Sequence, residues 1–506
     1  MNNKIKWSIT IFLVISVVLG IFACKQEADP PPNATEEVLS LGDLVALSAD
    51  SMYSQVKESL AYKDAAYESL YGRSANPSVI RAGEEETTST EPVTLKVLTW
   101  GGNLDYILEK FKTEYDNIEI EHTFADGVSA GSYSDIDGNY HDVVESFTSV
   151  EKVPHVAFMG LTKRHGENWK KWQTDIRHDL SKGTYHIGSF PRGNNGEIYF
   201  IPETADNLSS VVAINMDLLE QIGGKVPETY EDLVALAKLC KQNNIDCLST
   251  YGGTDWLWGT SVFSPIIART TGDANWVQKV AKGNAKFTDA GFVAALEAVK
   301  KYFDDDIFAE NIFEILNGNN QEDDFIQGKC LMFLGGQWDI DVLRFYKDLD
   351  ADGRGDKKGG PKVNFKLLPF LPVHGEKNNM RFCVSAAAAN GYGITSAAVT
   401  DDSIKDAAIK FIEFANREEF IINNLDNGSL TGPIVQSLYN KSVDEFGTLV
   451  AQKMFILEKY KNVDVVDSYL PDEINGVLFT AVKGMVQNGK TATEVAQDVQ
   501  TAYEAM

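Results

Sequence analysis

The chain has 506 residues, with 46 Lys and Arg against 73 Asp and Glu, for a formal net charge of −27. Hydrophobic residues make up 43%, which is ordinary globular usage and enough for two to four domains at ~100–200 residues each. So acidic a chain excludes nucleic-acid binding through a general phosphate field and argues against a peripheral grip on anionic lipid, because like charges repel.

Lys4 and Lys6 precede Trp7–Ala23, a nearly unbroken apolar run without charge. At 17 residues it falls short of the ~20 of a spanning helix, and it reads as an export signal. Ile21-Phe22-Ala23-Cys24 resembles the lipobox of bacterial lipoproteins, although Phe22 departs from the small or aliphatic residue usual there. The resemblance implies that residues 1–23 are removed, that Cys24 becomes the lipidated first residue, and that the rest lies in the periplasm or at the cell surface. An uncleaved anchor with an incidental Cys is the alternative.

Residues 24–92 read as a tether and linker. Pro30-Pro31-Pro32 stiffens its start, and Glu36–Tyr71 carries helical periodicity through Ala49, Met52, Val56 and Leu60, then Tyr67 with Leu70 and Tyr71. This helix is expected to act as a spacer holding the body off the membrane; the alternatives are a stripe that packs on a partner or a small helical hairpin. Gly83–Pro92 lacks apolar residues other than glycine, alanine or proline and reads as a linker.

The body opens with a buried strand at 93–100, an amphipathic helix at 105–115, and strands at 118–124 and 154–160. That alternation predicts a parallel sheet covered by helices, with ligands off the carboxyl ends of its strands. A second α/β set follows: a strand at 211–215, helices at 217–222 and 229–242, a short strand at 245–250, a helix within 287–303, and strands at 329–335 and 363–369. A helix is expected at 404–416 and two or three more after it. No G-x-G-x-x-G opens a helix and no G-x-x-x-x-G-K-[ST] occurs, so neither a dinucleotide nor a nucleoside triphosphate is indicated. Cys240 and Cys247 are close enough in sequence to pair. Cys330 and Cys383 read as small buried hydrophobes, and no zinc-ligand spacing is present.

Several stretches resemble the family 1 extracellular solute-binding proteins of ABC transporters, the group that includes maltose-binding protein. Residues 211–233, VVAINMDLLEQIGGKVPETYEDL, match its strand, Asn-Lys-Asp-Leu helix and Pro-x-Thr-Trp-Glu-Glu-Leu segment, with Met216 and Tyr230 departing from it. Residues 325–338, FIQGKCLMFLGGQW, match its Phe-x-x-Gly-Lys-Ala-Ala-Met and Gly-x-x-Trp motifs, with Cys330 where Ala is usual. Leu368-Pro-Phe-Leu-Pro372 and Gly391-Tyr-Gly-Ile394 complete the order. The resemblance implies a two-lobed α/β binding-protein fold with a hinge: lobe 1 from 93–208 and 384–424, lobe 2 from 209–383 and 425–506. The chain would cross near Leu208–Val211, Phe382–Ala386 and Asn424–Thr431.

It also implies a non-enzymatic, monomeric protein that binds a neutral sugar or oligosaccharide and delivers it to a permease. Sugars need aromatic platforms and a few directed polar groups. Trp338 matches the family's cleft Trp. Trp100, Trp256 and Trp258 occupy loop-like positions, and in an extended segment one of the last two would stack on ligand while the other packs inward. Asp255, Glu203, Asn103, Tyr392 and Gly335 are the further candidates, and Asp126 is a weaker one. Trp169, Trp172 and Trp276 read as packing. Asp348, Asp350, Asp352, Arg354 and Asp356 follow most of a calcium-loop spacing, but Gly359 stands where its bidentate carboxylate belongs. Calcium is therefore an open possibility, and no other cofactor is expected. A polyamine- or peptide-binding protein, a carbohydrate-active enzyme and a surface adhesion lipoprotein are the rivals.

Overall fold

The computed structural model describes residues 39–71, 92–99, 105–124, 147, 149–160, 169–181, 183–202, 206–316, 318–343, 363–388, 390–420, 436–437, 448–471 and 473–506. They build two β-sheets with helices packed on them.

The first sheet runs in the order β2 (Ile118–Phe124), β1 (Val93–Thr99), β3 (Val156–Gly160), β10 (Asn390–Ile394) and β4 (Ile201–Pro202). β1 is parallel to both β2 and β3, as the strand–helix–strand pattern predicts, while β10 is antiparallel to β3 and β4. β1 alternates buried and exposed residues and then becomes fully buried over Val97–Thr99. The helix Asp402–Ala415 covers the sheet; Asp401 caps its start, and Phe411 and Phe414 pack edge-on against Phe111 of the helix Asp105–Glu114.

The second sheet runs β11 (Asn462–Val463), β9 (Val384–Ala388), β5 (Asp206–Asn215), β7 (Cys330–Gly335) and β6 (Asp246–Ser249), with β8 (Phe365–Leu368) also paired to β5. Every residue of β7 is buried, which explains why it reads as an uninterrupted apolar run. Beside this sheet, the helix Tyr230–Gln242 starts in a capping box between Thr229 and Asp232 and buries Leu233, Leu236, Ala237 and Cys240, the face that its 3.6-residue period selects.

The chain changes sheets twice among the described residues. It leaves the first sheet at Pro202 and enters the second at Asp206, then leaves the second at Ala388 and re-enters the first at Asn390. These changeovers lie a few residues from the expected positions at Leu208–Val211 and Phe382–Ala386. The reason is strand pairing: Asp206–Leu208 already bonds antiparallel to Ala386–Ala388, so the two crossing strands support each other inside the second sheet. The third expected crossing, Asn424–Thr431, lies outside the described residues.

The N-terminal helices differ from the expected spacer. Leu41–Ala46 (α1) and Ala49–Tyr71 (α2) are separate, broken at Leu47, whose backbone is extended. The Ser48 hydroxyl then accepts a hydrogen bond from Ser51 N–H at the start of α2. Leu41, Leu44, Met52, Val56, Leu60 and Tyr67 are all buried against the body. Most of the periodic stripe packs intramolecularly, because at roughly 1.5–3 kcal/mol per fully buried large apolar side chain its exposure would be costly; Leu70 at its end is exposed. No helix among the described residues is long and apolar enough to cross a membrane.

The four described cysteines are buried free thiols. Cys240 and Cys247 are neighbours, and the hydrogen bond of the Cys247 thiol with Cys240, together with burial, pushes that thiol well up.

Candidate ligand site

Two strand directions converge on one edge. β6 and β7 are parallel, so Ser249 and Gly335 end at the same edge of the second sheet. β5 runs antiparallel to β7 and enters the sheet at that edge, coming from the first. The loops after β6 and β7 therefore lie beside the strand that carries the chain between the sheets. A direct bond fixes this: Leu208 N–H donates to Gln337 Oε1 at 3.1 Å. In the first sheet the changeover adjoins the carboxyl end of β3, since Asn390 pairs with Gly160.

An aromatic cluster stands at this edge. Trp338 is 39% exposed, large for a tryptophan on a folded surface. Its ring lies 5.8 Å from that of Trp256, which lies 5.6 Å from Tyr251. A hydrogen-bonded chain holds it in place. Trp338 Nε1–H donates to Tyr251 Oη at 3.3 Å, and Tyr251 O–H donates to Asp339 Oδ2 at 2.9 Å. Gly336 N–H also donates to Asp339 Oδ2 at 2.8 Å, fixing the first turn of the helix Gln337–Leu343 as an acidic N3 residue does. Gly335 has no room for a Cβ, because the Asp339 carboxylate occupies that space. The glycine admits the Asp339 carboxylate.

Burial pushes the Asp339 carboxyl up to about 6, against hydrogen bonds from Gly336 and Tyr251 that lower it. The group thus holds its proton more tightly folded than in an unfolded chain, where its value is near 3.8. Its contribution to stability is complete below about pH 4 and is lost as pH rises through about 6. In Asp339→Asn this pH dependence should vanish. The unfolding free energy of the parent, relative to the variant, is expected to fall by up to about 3 kcal/mol between pH 4 and 6.5 and to stay flat above pH 7. A difference that does not vary with pH in denaturant titrations would contradict this assignment.

The other candidates divide. Asp255 is exposed beside Trp256 and accepts from its N–H at 2.8 Å. Trp258, expected among the possible platforms, is a core residue. It is 0% exposed, its Nε1–H donates to Gly252 O at 2.9 Å, and Phe303 and Phe313 stack on it. Tyr392 is also a core residue, 8% exposed in the middle of the first sheet, edge-on to Phe158 and Phe411. It sits on β10 with a strand on either side, against the helix Asp402–Ala415 through Phe411. Trp169 and Trp276 pack as expected, Trp169 near Phe147 and Trp276 parallel to Phe292 at 5.6 Å. Trp100, Asn103, Glu203, Asp126, Cys24 and the acidic loop with Asp348, Asp350, Asp352, Arg354 and Asp356 lie outside the described residues. No group of three or more His, Cys, Asp or Glu among the described residues is placed to hold a metal ion.

Sequence reasoning passed over Tyr251 and Asp339. The available signal was an acidic residue three positions after Gly336, a helix-start pattern, in the segment that already held Trp338.

Residues 99–420 match the family model of the bacterial extracellular solute-binding proteins. The chain belongs to that family. No protein of curated function matches its sequence. Among solved structures, this solute-binding protein resembles a chitin oligosaccharide binding protein at 16% identity, covering 82% of this chain and 98% of the other, with a TM-score of 0.59. It also resembles a sugar transporter from Bacillus licheniformis in complex with stachyose (14% identity, 82% and 100% covered, TM-score 0.58). A third is a probable secreted solute-binding lipoprotein from Streptomyces coelicolor (17% identity, 82% and 100% covered, TM-score 0.60). These likenesses establish the two-lobed α/β fold. Helices α1 and α2 precede the family match.

Proposed function

We propose that this solute-binding protein captures a neutral sugar or oligosaccharide between its lobes and presents it to an ABC importer, without catalysis. One observation carries the reading: Trp338 stands exposed at the edge where the chain crosses between sheets, backed by Trp256 and locked by Tyr251 and Asp339. A rigid, half-exposed indole offers a flat apolar face suited to a sugar ring, and its polar surroundings can take the hydroxyls. The names of the chitin-oligosaccharide and stachyose relatives support this class. The two sheets would be the cores of the two lobes, and binding would close them about the crossing strands β5 and β9. Attachment through a lipid on Cys24 is part of the proposal, supported by the lipobox resemblance and by the relative described as a secreted lipoprotein. Asp255, exposed next to Trp256, keeps a cationic solute such as a polyamine as the second reading.

A thermal-shift screen separates the two. A neutral oligosaccharide at 100 times its Kd should stabilise the protein by about 2.7 kcal/mol, while spermidine leaves the melting temperature unchanged. Stabilisation by polyamines alone would overturn the sugar assignment. Turnover of an oligosaccharide would overturn the claim of binding without chemistry.

A further inference from the structure

Helix α2 grips both lobes. Ser59 Oγ–H and Lys63 Nζ donate to Glu458 at 2.7 Å each. Glu458 belongs to the helix Thr448–Lys459, which is fixed to the second sheet by Gln452 bonding both N–H and C=O of Leu367 in β8. The next residue, Asp64, holds the other side. Its carboxylate accepts from Gly188 N–H at 2.7 Å and pairs with His186 Nδ1 at 2.8 Å. One turn on, Tyr67 O–H donates to Gly196 O at 2.8 Å, and Arg192 lies over the rings of Tyr67 and Tyr71. The 186–196 segment belongs with the first sheet: it leads through Ile198, whose C=O and N–H bond Ile176 and Asp175, into β4. Two adjacent helical residues point about 100° apart. Lys63 and Asp64 can therefore hold opposite lobes only if α2 lies along the seam between them.

The docking against the first lobe is close-packed. A Cβ on Gly188 would run into the Lys63 backbone, and one on Gly196 into the Tyr71 ring. At its other end the segment is anchored to the second lobe: Glu228 accepts from Leu41 N–H at 3.2 Å and Gly42 N–H at 2.5 Å, and Tyr460 O–H donates to Leu39 O.

We infer that residues 39–71 form a strap that sets the resting angle between the lobes, so that hinge rotation must slide or release α2 from one side of its seam. A helix fastened to both lobes opposes their relative rotation whatever solute the cleft takes. The strap lies outside the 99–420 family match, so the solute-binding fold itself does not imply it.

The test measures the inter-lobe distance without ligand. In the full chain carrying Cys24→Ser, spin labels are placed at Glu119→Cys on β2 and Glu297→Cys on the helix Ala290–Asp304; both positions are exposed, and the native thiols at 240, 247, 330 and 383 are buried. The strapped protein should give one narrow distance. Gly188→Ala, which wedges α2 off the first lobe, and Ser59→Ala/Lys63→Ala, which frees it from Glu458, should each broaden the distribution about twofold or shift its mean. Should Gly188→Ala fail to fold, Asp64→Ala replaces it at the same end. Variants that lower the melting temperature but keep the narrow parental distance would overturn the strap and leave α2 a merely stabilising helix.

Discussion

Trp338→Ala is expected to weaken oligosaccharide binding by about 2–4 kcal/mol, roughly 30-fold to 1,000-fold, the cost of losing a central aromatic anchor, with a change in unfolding free energy below about 1 kcal/mol. Trp258→Ala should do the reverse, because its ring is enclosed by Phe303, Phe308 and Phe313. Removing a buried Trp costs about 3–5 kcal/mol in transfer and cavity terms. Trp338, exposed beside Trp256, and Trp258, enclosed in the core, thus separate into platform and core. Titration calorimetry and denaturant unfolding of both variants check the pair. Equal losses of stability, or retained affinity in Trp338→Ala, would reject the division.

Arg269→Leu should be about as destabilising as Trp258→Ala. Arg269 is 0% exposed on the helix Ser264–Thr271. Its Nη1 donates to Leu371 O at 3.0 Å and to Glu376 Oε2 at 3.1 Å, and its Nη2 donates to Cys383 O at 3.1 Å, immediately before β9. The guanidinium thus ties a core helix, the loop after β8 and the returning crossing strand together. Phe382 beside it has a φ of 62°, a left-handed conformation that costs a bulky residue roughly 1–2 kcal/mol and needs such ties to persist. Leucine would fill part of the space but take the arginine donor from two buried carbonyls and from the Glu376 carboxylate, which keeps only Val373 N–H and Arg381 nearby among the described residues. The expected loss is about 3–5 kcal/mol, as for breaking one partner out of a buried pair. A loss under 1 kcal/mol in urea titrations would contradict this account.

Much of the fold is legible locally. Parallel strands, the capped helix after Thr229 and the fully apolar β7 each follow from nearest-neighbour patterns. The division between Trp256 and Trp258 was also legible, though for a different reason from the one the sequence suggests. The segment is not extended; it is a helical turn at Asp255–Leu257 running into a π-helical turn at Trp258–Phe263. Residues two apart on an α-helix point about 200° apart, so the two rings still face opposite ways. What local patterns miss is long-range. Tyr251 and Asp339 are 88 positions apart, and nothing near either one announces the other. Tyr392 stands between two glycines, and Gly393 admits close packing rather than a ligand contact by its neighbour: a Cβ there would meet the Tyr199 backbone. The apolar stripe of α2 was visible, but its partner helix lies nearly 400 positions away.

The most direct test of the central claim is calorimetric titration of the full protein with neutral oligosaccharides and with spermidine, run on the parent and on Trp338→Ala. The account predicts saturable one-site binding of an oligosaccharide to the parent, weakened at least about 30-fold in the variant, and no binding of spermidine. Oligosaccharide affinity that survives Trp338→Ala unchanged, or spermidine as the only ligand that binds, would contradict it.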